Sequence, residues 1–183
     1  MGQELIERVK EDQSASFKGD LKIFSEITKK NAKWLNGIID KYGWPTVSKV
    51  GKDASEAAWL LVQHSDYDVD FQKKCLELMK KEMEKGEVSR HNVASLEDRI
   101  RMNMKLPQIY GTQITGDLGD EYPYNLEDEA NVDARRKAMG LIPLKDYIEF
   151  IRKANKRLKE ARQNPEAFCP CGSGKQFKKC HGR

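Results

Sequence analysis

Apolar residues recur at helical spacing along most of the chain. Over 21–42, Phe24, Ile27, Asn31, Leu35, Ile38 and Tyr42 follow one another at intervals of three and four, with Gly43 placed to stop a helix and Trp44-Pro45 directly behind it. A second helix is predicted from Asp53, where Asp53 and Glu56 have capping-box spacing, to about His64, burying Ala54, Ala57, Ala58, Leu61 and Val62. Phe71, Cys75, Met79 and Met83 mark a third that ends near Gly86, and Val93, Leu96, Ile100 and Met104 a fourth that ends before Pro107. Four such helices with short connections predict a mainly α, bundle-like core.

The pattern breaks at 108–143. Gly111, Gly116, Gly119, Pro123 and Pro143 punctuate this stretch, and seven acids lie between Asp117 and Asp133 without a lysine or arginine among them. A long acidic loop is expected, with a small hairpin at 109–124; loops of this length usually perform a task or are disordered. A last helix follows Pro143, with Leu144, Tyr147, Ile148, Ile151 and Leu158 on one stripe and seven basic side chains mostly on the other. Its early part is expected to pack and its later part to project. The division that results is a helical domain over 1–163, a linker over 164–168 and a terminal module over 169–183.

Composition narrows the class. The 183 residues are 38% hydrophobic and 34% charged, as in a globular protein, and the longest aliphatic and aromatic run, AAWLLV, is far shorter than a membrane span. With charges where a secretory segment needs an apolar run, the expected location is cytoplasmic. The net charge is +4, yet 1–168 is formally neutral, so the excess sits at the carboxyl end. One basic docking surface fits that distribution better than a chain that coats nucleic acid along its length.

The carboxyl end reads CPCGSGKQFKKCHGR. Cys169, Cys171, Cys180 and His181 supply three sulfurs and one nitrogen, a closed tetrahedral set suited to a structural Zn²⁺ ion. Gly172 and Gly174 allow the tight turns that let neighbouring sulfurs face one ion. Fifteen residues cannot build a hydrophobic core, whereas zinc binding in small modules contributes about 10 to 16 kcal/mol, so the metal would supply the fold. The stretch resembles the SEC-C motif, the C-terminal zinc-binding motif of the SecA preprotein translocase, through Cys169, Cys171, Ser173, Gly174, Cys180 and His181. That resemblance implies a knob that docks on a protein partner such as a SecB-like chaperone; a ribosome-associated factor is the alternative partner. Lys175, Phe177, Lys178 and Lys179 are the candidate contacts, although Phe177 can equally pack against the knuckle. No phosphate-binding Gly-x-x-x-x-Gly-Lys-Ser/Thr accompanies it, so the ATPase does not carry over.

The helical part carries polar groups that packing alone does not require: Gln63, His64, Asp66, Asp98, Arg99, Tyr110 and Gln113. Trp44-Pro45-Thr46, Gln63-His64-Ser65-Asp66, Asp98-Arg99, Tyr110-Gly111-Thr112-Gln113 and the segment 135–144 resemble, in that order, an uncharacterised bacterial domain family, with Ser65 where a small apolar residue is expected. The resemblance implies a shared fold and names no reaction. On its chemistry, His64 can serve as a general acid or base oriented by Asp66 or Asp98, Arg99 can hold the phosphate or carboxylate of an anionic small molecule, and Tyr110 and Gln113 can orient a substrate. The competing reading makes His64 a core-closing residue and Asp98-Arg99 an internal ion-pair network. Three classes of function follow: a zinc-dependent docking protein, a hydrolase or transferase acting on a phosphate-bearing small molecule, and a nucleic-acid binder that uses the basic tail.

Overall fold

The computed structural model describes residues 1–170 and 173–180. It is mainly helical, and one hydrophobic core is shared by the first six helices. Helix α1 (Gly2–Lys18) ends at Gly19, whose left-handed conformation (φ 71°) lets its amide donate to the Ser16 carbonyl. Helix α2 (Leu21–Tyr42) starts at Asp20, whose carboxylate accepts from the amides of Lys22 and Ile23. A single turn, α3 (Val47–Val50), leads into α4 (Lys52–Gln63), followed by α5 (Val69–Met83), capped by Asp68, and α6 (Arg90–Asn103).

The predicted core stripe of α4 is buried throughout, and so are Phe71, Cys75 and Met79 of α5 and Val93, Leu96 and Ile100 of α6. Two ends of stripes depart from expectation: Tyr42 and Met104 are about half exposed, because each lies where its helix runs past the core. Helix α4 also begins two residues earlier than the Asp53 capping pattern requires. Gly51 is its N-cap, and no side chain caps it.

The largest departure is α1, which the apolar spacing did not predict. It packs along α2 and α4 and delivers Leu5 to the core, with Ile6 and Val9 beside it. Its buried stripe continues through Asp12, so the sequence shows a charge where the period calls for an apolar residue.

The stretch 108–143 is more ordered than a long loop. It contains a two-stranded antiparallel hairpin, β1 (Ile114–Thr115) with β2 (Tyr122–Pro123), within the predicted span. A 3₁₀ turn (Glu129–Asn131) then enters a short helix, α7 (Val132–Ala138). Gly116 makes the hairpin turn possible: its φ is +99°, and a Cβ there would lie 2.3 Å from the Asp120 carbonyl oxygen.

Helix α8 (Leu144–Gln163) packs its first turns against this region, and its last turns pack as well. Ala161 is buried, and with Leu158 it forms a second apolar cluster with Phe17 of α1, Cys169, Phe177 and Cys180. The expectation that the end of this helix projects therefore holds for its basic face and fails for its apolar one. No helix among the described residues is long and apolar enough to cross a membrane.

Candidate functional site

The segment 109–113 is held from every side. Asp98, fully buried, accepts from the amides of Ile109 (2.8 Å), Tyr110 (3.1 Å) and Thr112 (2.9 Å) and from the Thr112 hydroxyl (2.9 Å). Gln108, also fully buried, accepts from the Gln113 amide (2.8 Å) and donates back to the Gln113 carbonyl (2.9 Å). The remaining carbonyls take cationic or phenolic donors: Arg135 on Ile109 (2.7 Å), Arg136 on Tyr110 (2.7 Å) and the Tyr147 hydroxyl on Thr112 (3.1 Å). Satisfying so many backbone groups with side chains fixes an irregular segment as firmly as a strand.

Arg136 is 1% exposed, a rare state for a guanidinium. It donates to Tyr110 and Ile142 carbonyls (2.7 and 2.6 Å) and stacks on the Tyr147 ring at 4.9 Å. Burial pulls its pKa below the ordinary guanidinium value, against the opposing pull of Tyr147, Asp133 and Asp98. For Asp98 burial also dominates: it raises the carboxyl above its ordinary pKa despite the donors gathered on it.

This clamp presents the Gln113 side chain to a polar network between α4, α5 and α6. Gln113 Nε2 donates to the Ser95 carbonyl (3.2 Å), and its Oε1 accepts from Arg99 Nη1 (3.3 Å) and Gln63 Nε2 (3.5 Å). Arg99 grips Asp66 with two parallel bonds, Nε to Oδ1 at 2.8 Å and Nη2 to Oδ2 at 2.5 Å. Asn103 donates to Asp66 (2.8 Å), and buried Gln72 joins them. Burial works to raise the Asp66 pKa, but the bonds from Arg99 and Asn103 outweigh it, and the carboxyl lies below its ordinary value.

Five of the six candidate catalytic residues therefore belong to one assembly: Asp66, Arg99 and Gln113 bond directly, while Asp98 and Tyr110 shape the segment that carries Gln113. The Arg99 guanidinium is already engaged by Asp66 and Gln113. Tyr110 lines a different surface, a groove of about 530 Å³ shared with Lys80, Met83, Glu97, Ile109 and Met139.

His64 stands apart. Its partner is Asp12 of α1, not Asp66 or Asp98: His64 Nδ1 is hydrogen-bonded to Asp12 Oδ2. Asp12 is fully buried, and the His64 side chain is 21% exposed with its ring edge-on to Phe24 at 5.5 Å. The other Asp12 oxygen and Asn31 Nδ2 are buried without a partner among the described residues, while Asn31 Oδ1 accepts from Arg8 at 3.0 Å. Cys75 is no nucleophile in waiting: burial pushes its thiol up to about 12.

At the carboxyl end, the linker and the knuckle are knitted together. The Cys169 amide donates to the Lys175 carbonyl (2.7 Å), the Phe177 amide to Ala167 (2.8 Å) and the Lys178 amide to Pro165 (2.9 Å). Phe177, 4% exposed, meets the Phe17 ring at 5.7 Å in an edge-on contact, so it faces the helical domain. Lys175, Lys178 and Lys179 are exposed. The exposed aromatic of this end is Phe168, at 77%, which sequence reasoning did not single out. Cys169 and Cys180 lie in the same small cluster, and the Ser173 hydroxyl is 3.3 Å from the Cys180 sulfur. Cys171 and His181 lie outside the described residues.

Two family models match the chain. One, described as a "Family of unknown function (DUF6624)", covers residues 4–159, and the other, the SEC-C motif, covers residues 169–183. The protein translocase subunit SecA of Rubrobacter xylanophilus is 58% identical over 31 residues, which are 17% of this chain and 3% of the translocase subunit. The chain thus spans a very small part of that relative's length. No solved structure matches.

Proposed function

We propose, for a chain that belongs to the Family of unknown function (DUF6624), a function carried by the module behind the family domain: it is a docking protein whose zinc-held knuckle binds a protein partner. Cys169, Cys171, Cys180 and His181 would hold the ion, which supplies a rigid crosslink to a segment too small to fold on apolar burial. The observation that carries this reading is the seating of Phe177. With Phe177 turned against Phe17, the knuckle is braced on α1 and α8, and Lys175, Lys178, Lys179 and Phe168 are left facing outward. Lys175 and Lys179, with Lys178 paired to Glu166, and the exposed Phe168 give this end a basic surface with an apolar residue, the composition that recognises an acidic partner.

A SecB-like chaperone is the first partner to test, and a ribosome-associated factor the second, both in the cytoplasm. Capture of each purified partner by the immobilised full chain is expected to be lost in Cys169→Ser and Cys180→Ser variants and to weaken in Lys178→Glu/Lys179→Glu. Undiminished capture by the cysteine variants, with metal analysis proving them zinc-free, would remove the reading.

A second reading has its own support. The buried Asp12 carboxylate orients the His64 ring through Nδ1, the arrangement a general base uses, and the side chain reaches solvent. An enzyme acting on a phosphate-bearing small molecule would use His64, while Arg99 would first have to exchange Asp66 for the substrate's anion. If His64→Gln abolishes a phosphatase or phosphotransferase activity of the purified chain without lowering its melting temperature, this reading stands; if no such activity exists, it falls.

A further inference from the structure

The positive charge of the chain is concentrated in one arm. Residues 144–183 carry eleven lysines and arginines against four acids, and 1–143 carry twenty-two against twenty-five, so a basic arm is built onto a slightly acidic body. Within this arm, the exposed face of α8 and the tip of the hairpin enclose a groove of about 350 Å³ lined by Leu118, Arg152, Lys153, Lys156, Lys159 and Glu160. Arg152, Lys156 and Lys159 recur at four and three, and with Gln163 they form one stripe about 16 Å long, the reach of about five extended residues. Among the described residues, Lys156 and Lys159 have no carboxylate partner, whereas Arg152 and Lys153 pair with Glu121 and Glu149.

The wall opposite the helix is fixed in place. Glu121, 2% exposed, accepts from the Gly119 amide (3.0 Å), Arg152 Nε (3.3 Å) and Asn155 Nδ2 (3.3 Å), and its carbonyl accepts from Arg152 Nη2 (3.0 Å). These bonds pin the hairpin tip onto α8 and hold Leu118 over the lysine stems. A groove that exists before its ligand arrives spares the ligand the cost of ordering it.

From this geometry we propose that the α8 groove is a second docking site, on the helical domain itself, for a short acidic peptide segment that carries an aliphatic residue. The lysine and arginine heads at the rim match carboxylates, and their stems with Leu118 make an aliphatic floor. Two observations favour a peptide over a nucleic acid. No aromatic ring lines the groove on which a base would stack. Asp117 and Asp120, both exposed, flank Leu118 and Gly119; they would repel a backbone with a charge on every unit, while a peptide can lay its apolar residue there. The site is separate from the knuckle lysines and goes beyond the docking function assigned to them.

The test uses the full zinc-loaded chain and a fluorescein-labelled synthetic peptide in which glutamates flank a central leucine pair, followed by anisotropy at about 0.15 M ionic strength. Lys156→Glu/Lys159→Glu is expected to weaken binding at least about tenfold, and Leu118→Asp to weaken it too. Lys178→Glu/Lys179→Glu is expected to leave it unchanged, which separates this site from the knuckle. Circular dichroism establishes that each variant is folded. The proposal is overturned if the peptide does not bind, if folded Lys156→Glu/Lys159→Glu binds it as well as the parent, or if a single-stranded RNA of equal charge binds the same groove more tightly.

Discussion

His64 and Asp12 meet across 52 positions of sequence and tie the first helix of the chain to the end of the fourth. Asp12 is fully buried, with one oxygen on the imidazole and the other without a partner among the described residues. Removing the histidine takes the one described donor away from a buried carboxylate. His64→Ala is therefore expected to cost about 2 kcal/mol or more in urea unfolding. Asp12→Ala should cost less in the His64→Ala background than alone, with a coupling of about 1 kcal/mol in the double-mutant cycle. Strict additivity would mean that the pair does not hold α1 in place.

Asp98 is the post around which the 109–113 segment is wound. An alanine there orphans three amides and one hydroxyl in a buried setting, and the expected loss is about 3 kcal/mol or more by chemical denaturation. Thr112→Val leaves the three amides on Asp98 and removes the hydroxyl bond to the same carboxylate together with the hydroxyl's acceptance from Gln113 Nε2, and should cost about 1 to 2 kcal/mol. A ratio near one between the two losses would show that the amides do not depend on Asp98.

The helices whose buried stripes are apolar are legible in the sequence, since Ala54 to Val62, Phe71 to Met79 and Val93 to Ile100 have one period and one face. The first helix is not, and the reason is local. Its stripe runs through Leu5 and Asp12, and a buried carboxylate looks like a solvated one until its partner is known. The same residue explains why the sequence points His64 toward Asp66, its neighbour, and Asp98, another polar residue out of place, while the contact that forms joins two helices 52 positions apart. Likewise Asp98, Arg99 and the 110–113 motif were visible as polar residues out of place. Their division of labour was not, because only the fold reveals that Asp98 faces backbone amides while Arg99 faces Asp66. The SEC-C signature was legible because metal ligation fixes residue types and spacing, whereas the inward turn of Phe177 depends on Phe17, at the other end of the chain.

Asp66 has a defined signature with pH. Its folded pKa is below the ordinary value of 3.8, with burial opposed and outweighed by Arg99 and Asn103. A carboxylate depressed in this way contributes stability above its unfolded pKa and loses it as pH falls through the folded one. Unfolding free energies measured from about pH 6 down to about pH 3 should therefore fall less steeply for Asp66→Asn than for the parent chain. Because this side chain is 40% exposed, solvent screening limits the difference to about 1 kcal/mol or less. Parallel curves for the two proteins would mean that the Arg99 pair contributes nothing to acid sensitivity.

Removal of zinc separates the knuckle from the rest. The core of α1 to α6 contains no proposed metal ligand, whereas among the described residues the terminal cluster has Phe17, Leu158, Ala161 and Phe177 around two cysteines. So few apolar residues cannot hold a turn of this length once its crosslink is gone. Chelation of the full chain is thus expected to collapse hydrogen-exchange protection at the amides of Cys169, Phe177 and Lys178, which donate to Lys175, Ala167 and Pro165. The Thr112 amide, held by Asp98, should exchange as slowly as before. Chelation would also release Phe177 from Phe17, so Phe17→Ala should weaken zinc retention, for the closed knuckle loses the surface on which it rests. Protection that survives a chelator, in protein confirmed to be metal-free, would show that packing on α1 and α8 suffices and that the metal is not what shapes this end of the chain.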